Sequence, residues 1–142
     1  MKLLAFTDLH GSLLALRRIE QAVRTQKPDL LVCAGDVFIF EQGFISVMRK
    51  LNILDKKIVI IHGNHEEPSI FKKCARLFKN IIFIHKKEFI INNVVFLGYE
   101  AANRLFGNSP SVGETIRIGG GTSSFSFCSK RWRPRSSVAC LE

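Results

Sequence analysis

The sequence predicts an α/β fold in which short buried strands alternate with amphipathic helices in a layered sheet. Three observations carry this. Three short apolar runs each stop at a glycine or a polar cluster. Between them, apolar residues recur at helical spacing. Past about residue 80 the helical period gives way to apolar runs separated by turn residues. Strand–helix–strand alternation of this kind specifies one sheet built with right-handed crossovers.

Residues 2–7 form the first apolar run, and Asp8-Leu9-His10-Gly11 ends it. Ser12 suits a helix N-cap, because its hydroxyl can accept from an unpaired N–H of the first turn. Leu16, Ile19 and Val23 follow at helical spacing, and Pro28 marks the stop. Residues 29–34 read as a second strand, ended by Gly35-Asp36. Phe44, Val47, Met48 and Leu51 match the i, i+3, i+4, i+7 template of a second helix. Residues 57–61 are a run of mostly β-branched residues without alternation, the pattern of a strand buried on both faces. Gly63-Asn64-His65-Glu66 follows where that strand must turn. Pro68 suits the first position of a helix, with Ile70, Cys74 and Leu77 as its apolar stripe. Residues 81–84, 88–91 and 94–97 then read as strands. Asn92-Asn93 between the last two tolerates positive φ and predicts a tight hairpin.

A chain of 142 residues has room for one real core. Of the first 100 residues 51 are apolar, against 15 of the last 42, which places a compositional boundary near residue 100. Residues 1–100 are expected to form the α/β core. Residues 101–142, with Gly119-Gly120-Gly121 and Lys130-Arg131-Trp132-Arg133, are expected to be an irregular, disordered or non-native tail. The C-terminal part of the fold is therefore expected to be incomplete.

The net charge of +9 favours phosphate-bearing partners. Its basic residues come as scattered pairs such as Arg17-Arg18 and Lys72-Lys73, each read first as a solvated outer face. No apolar run approaches the roughly 20 residues of a membrane helix, and Asp8 and His10 interrupt the apolar N-terminus. A cytoplasmic chain with no membrane partner is expected. Cys33, Cys74, Cys128 and Cys140 form no C-x-x-C pair, and Cys33 and Cys74 read as small core residues.

Polar groups cluster at the ends of the first three strands. Asp8 and His10, two apart, share a face if the strand persists through them. A carboxylate and an imidazole suit a divalent metal such as Mn, Fe or Zn. Alone, an Asp-x-His is more often a loop, a Gly-Asp more often a turn, and an Asn-His more often a capping pair. Three successive strand ends bearing such groups reverse those odds.

In that order the residues resemble the calcineurin-like metallophosphoesterase superfamily. The motifs are Asp8-Leu9-His10, Gly35-Asp36 and Gly63-Asn64-His65-Glu66, each after a strand. The resemblance implies that Asp8 and His10 bind a first metal, that Asp36 bridges two metals, and that Asn64 binds the second. It implies that His65 stabilises the transition state and protonates the leaving oxygen. The substrate implied is a phosphate mono- or diester, including nucleotides and nucleic acids. Asp36 is followed by Val37-Phe38-Ile39-Phe40, not the D-R-G of the protein serine/threonine phosphatases, which argues against that branch.

The chain departs from the superfamily downstream. Its four histidines are His10, His62, His65 and His85, so the later histidine motifs have no counterpart. His62 and His85 read as packing or structural residues. One metal, rather than two at full affinity, is the expectation for this chain. The expected function is metal-dependent phosphoester hydrolysis. The alternative is a truncated, inactive domain that binds metal or phosphate without turnover.

Overall fold

The structure, a computed structural model, describes residues 1–38, 43–63, 66–92, 94–97, 115–118, 121–124 and 138–141. The described elements run β1 (Leu3–Phe6), α1 (Leu13–Gln26), β2 (Leu30–Cys33), α2 (Phe44–Ile53), β3 (Ile58–Ile60), α3 (Pro68–Leu77) and β4 (Ile81–Phe83). They continue with β5 (Glu88–Ile91), β6 (Val94–Leu97), β7 (Thr115–Ile118), β8 (Gly121–Ser124) and β9 (Val138–Leu141). The chain divides into two compact units, one holding β1–β4, the three helices and β9, the other holding β5–β8.

The first unit is the expected α/β sheet, in the order β4-β3-β2-β1-β9. β1 to β4 are parallel, and β9 pairs antiparallel on the far edge of β1. The register aligns Leu4, Leu31, Ile58 and Ile81 in one row, and Phe6, Cys33, Ile60 and Phe83 in another. Both rows share a face of the pleat, and with the helix stripes they form the main core. Ala5, Val32, Val59 and Ile82 make the row on the opposite face. Apolar rows on both faces explain why these strands lack polar alternation. Each Leu or Ile so enclosed contributes about 1.5–3 kcal/mol.

Helix ends follow local chemistry. Ser12 caps α1, its hydroxyl accepting from Ala15 N at 3.3 Å. Lys27 closes that helix in a left-handed conformation, φ 49°, just before Pro28. α3 opens with Pro68, whose missing N–H costs nothing at that position. Leu16, Ile19 and Val23 are buried on α1, and Phe44, Val47, Met48 and Leu51 on α2, as their spacing predicts. The stripe of α3 differs. Phe71 and Cys74 are buried, Ile70 only in part, and Leu77 is exposed. An aromatic pocket holding Phe38, Phe44 and Phe83 turns the helix toward Phe71.

In the second unit β5 and β6 form the expected hairpin. Ile91 pairs with Val94 across two residues, the first being Asn92 at φ 47°. β7 and β8 form another antiparallel pair. The described residues beyond 100 are thus strand residues, and β9 joins the main sheet. Among the described residues no helix is long and apolar enough to cross a membrane.

Candidate functional site

Parallel strands end on the same side of a sheet, so β1, β2 and β3, neighbours in the order, deliver their following loops to one edge. Backbone hydrogen bonds lace the first two loops together. Asp8 N donates to Gly35 O at 3.3 Å, His10 N to Asp36 O at 3.0 Å, and Gly11 N to Val37 O at 2.8 Å. The Thr7 hydroxyl adds a contact to Gly35 O at 3.4 Å.

Asp8 and His10 do not share a strand face. The strand stops at Phe6, and both residues take left-handed conformations, φ 54° and 46°. The turn, not the pleat, brings them together: His10 Nε2 lies 3.5 Å from Asp8 Oδ1. Asp36 is left-handed too, at φ 53°. Aspartate tolerates that conformation better than bulkier residues, at a cost of about 1–2 kcal/mol. Three of the residues singled out from sequence therefore sit at kinks in the main chain. Such strain clusters where a structure fixes functional groups.

The β2 and β3 loops are stacked. A Cβ on Gly35 would stand 2.5 Å from Gly63 N and 2.7 Å from Gly63 Cα. A Cβ on Gly63 would collide with the Asp36 carboxylate and stand 2.5 Å from Asp36 N. Both motif glycines are thus required by close approach of two backbones. The carboxylate of Glu66 binds the stack. Its Oε1 accepts from Val37 N at 2.5 Å and Phe38 N at 3.1 Å. Its Oε2 accepts from Asp36 N at 3.1 Å and Gly63 N at 2.7 Å.

Beneath the loops lies Cys33, whose thiol is pushed far up in pKa by burial, with the charges of Glu66, Asp36 and Asp8 adding to the shift. Three carboxylates acting on one buried thiol is an electrostatic sign that these loop residues converge. Phe38 anchors the β2 loop below. Its ring meets Phe44 edge-on at 4.4 Å and stacks with Phe71 at 5.6 Å, and Phe71 stacks on Phe83 at 5.2 Å. His62 extends this row, 6.2 Å from Phe83, with Nδ1 2.9 Å from Gly63 O.

The structure therefore brings the Asp8–His10 loop and Asp36 side by side. Asn64 and His65 lie outside the described residues. Among the described residues, no three His, Cys, Asp or Glu side chains gather closely enough to hold a metal ion. Two buried side-chain oxygens have no hydrogen-bond partner among them, Asn52 Oδ1 on α2 and, at these loops, Asp36 Oδ1. Glu66 is the residue that sequence reasoning left without a role. Its signal was an acidic group just after Gly-Asn-His in the sequence and just before a helix, although the β2 loop it binds is about thirty residues distant.

Comparison with known proteins gives the family and the fold. The sequence pattern of the calcineurin-like phosphoesterases matches residues 1–137. No curated protein sequence matches the chain. Among solved structures, TT1561 of Thermus thermophilus is similar with TM-score 0.56 at 13% identity, over 64% of this chain and 44% of that one. A second solved structure is similar with TM-score 0.57 at 17% identity, over 69% of this chain and 52% of its own. YfcE, a phosphoesterase from E. coli, aligns with TM-score 0.49 at 20% identity, over 70% of this chain and 59% of its own. The chain thus spans about half the length of the solved structures it matches. At these identities the likeness to TT1561 and the second structure is one of fold.

Proposed function

Because the chain belongs to the calcineurin-like phosphoesterase family, we propose that it hydrolyses phosphate esters with the help of a divalent cation held at the β1 and β2 loops. The buried oxygen of Asp36 that has no hydrogen-bond partner among the described residues carries this reading. A carboxylate oxygen buried without a proton donor is costly unless a cation meets it. Asp36 and the Asp8–His10 pair offer oxygen and imidazole donors of the type Mn, Fe and Zn take, although as they stand their side chains do not gather into a metal-holding group. Asp8, His10 and Asp36 would hold the cation, together with Asn64. Such a cation, when bound, would supply Lewis acidity toward water and phosphoryl oxygens.

The chain's own residues do the rest. The Asp36 main chain ties the two loops together, its carbonyl accepting from His10 N. His65 gives a proton to the departing ester oxygen, which would otherwise leave as a poor alkoxide. The buried floor of Cys33, Phe38 and Phe71 keeps water from beneath the loops and strengthens every charge interaction above it. The net charge of +9 steers anionic esters inward, including nucleotides and nucleic acids.

A second reading rests on a specific observation: the described residues contain no gathered set of three ligand side chains. On that reading the domain binds metal or phosphate and does not turn over. One experiment separates the two. Metal content and hydrolysis of bis-p-nitrophenyl phosphate with added Mn²⁺ are measured for wild type, Asp36→Asn and His65→Ala. Hydrolysis that falls in both variants supports the enzyme. Equal rates in all three remove it, and bound metal without hydrolysis in wild type leaves the binding domain.

A further inference from the structure

Glu66 is the single buried charged residue among those described, and the chemistry above gives it no work. Its carboxylate accepts from four backbone N–H groups: Asp36, Val37 and Phe38 on one loop, and Gly63 on the next. Three successive N–H groups converging on one point form a concave anion-binding nest. Here a side chain of the same chain fills it. Hydrogen bonds to an ionised acceptor are about twice as strong as neutral ones, so this carboxylate dictates the path of residues 36–38.

That path is continuous with the proposed ligands. Asp36 is held left-handed at φ 53° with its carboxylate against Gly63. The carbonyls of Asp36 and Val37 receive the N–H groups of His10 and Gly11. Position therefore passes from Glu66 to residues 36–38, and from there to the loop carrying Asp8 and His10. Resting on the metal-dependent reading, we infer that Glu66 is a positioning residue. It is an internal anion that locks the β2 and β3 loops together and so places Asp36 and His10 to receive the cation. Glu66 binds neither cation nor substrate.

The test uses the full chain and two readouts independent of turnover: Mn²⁺ affinity by electron paramagnetic resonance, and the backbone amide resonances of Val37 and Phe38. Wild type, Glu66→Gln, Glu66→Asp and Asp36→Asn are compared at a temperature where circular dichroism shows each folded. Glu66→Gln is expected to shift both resonances and to weaken Mn²⁺ binding about tenfold or more, the usual cost of removing a group that orients a ligand. Glu66→Asp, which keeps the charge on a shorter arm, is expected to shift both resonances and to weaken Mn²⁺ binding less than Glu66→Gln does. A folded Glu66→Gln that binds Mn²⁺ as tightly as wild type overturns the inference. If Glu66→Gln does not fold, Glu66→Asp decides: shifted resonances with wild-type Mn²⁺ affinity overturn it, and weakened affinity supports it. Wild type that binds no Mn²⁺, or Asp36→Asn that binds as tightly as wild type, overturns the metal reading and this inference with it. Weakening in Asp36→Asn alone overturns the positioning role and leaves the metal reading standing.

Discussion

The stacking of the β2 and β3 loops can be measured with three glycines, because each isolates a different cost. Gly11 has φ +71° and open space around a would-be Cβ, so Gly11→Ala bears only the left-handed penalty, about 1–2 kcal/mol. Gly63 has no such φ, but its Cβ would meet the Asp36 carboxylate and the Asp36 main chain. Gly63→Ala therefore bears only overpacking, about 1–3 kcal/mol. Gly35 has φ +97° and a Cβ position 2.5–2.8 Å from the His62–Gly63 backbone, so Gly35→Ala bears both. The sum is about 2–5 kcal/mol, a large share of the roughly 5–15 kcal/mol that holds a domain of this size. Backbone on backbone cannot relieve the clash by changing a rotamer, which favours the upper half of that range. Urea unfolding of the full chain, read from midpoints at constant slope, gives the three values. The expected order is Gly35→Ala worst and Gly11→Ala mildest. Gly35→Ala no worse than Gly11→Ala would show that the loops are not stacked, and the placement of Asp36 would fall with it.

Three further outcomes follow from the same contacts. Phe71→Ala should cost about 3–5 kcal/mol and loosen the floor under Phe38; a thermal midpoint unchanged from wild type would contradict the aromatic row. Ser12→Ala should cost about 1 kcal/mol by removing the cap of α1, seen as a lowered urea midpoint, while Ser12→Asp should retain stability. Cys33 and Cys74 should resist Ellman's reagent in the native chain, because burial raises both thiols, Cys74 to about 11. The sign for stability follows. Above pH 9.0 the unfolded thiols lose their protons and the native ones keep them, so the native state binds more protons and stability falls with rising pH. The slope is about 1.4 kcal/mol per pH unit per thiol and, for Cys74, ends near pH 11. Cys74→Ala should flatten the alkaline decline, and an unchanged decline would refute the assignment.

These tests also separate two properties the site combines. On the proposed reading Asp8, His10 and Asp36 would hold the cation, whereas Gly35, Gly63 and Glu66 set how the β2 and β3 loops meet. A variant of the first kind should leave stability nearly intact and change what the chain binds. A variant of the second kind should change both. Asp36 belongs partly to each group, since its main chain is tied to Glu66 and its buried oxygen has no partner among the described residues.

What the chain specified locally was legible without coordinates. The unbroken apolar runs at residues 30–33 and 58–60, the stripes on α1 and α2, the Ser12 cap and the Asn92 turn each depend on neighbours a few positions away. The identity of the motif residues at the three strand ends was legible for the same reason. Tertiary structure decided the rest. The left-handed turns at Asp8 and His10 replaced the strand face expected there, and the aromatic pocket moved the buried stripe of α3 to Phe71. Residues 138–141, read as tail by composition, became the edge strand beside β1. The carboxylate of Glu66 found three of its four partners about thirty residues back along the chain. The physical reason is common to all four. Each depends on which strand lies beside which and how closely two loops approach, and those distances are set by sheet order and packing volume, which no local period of the sequence encodes.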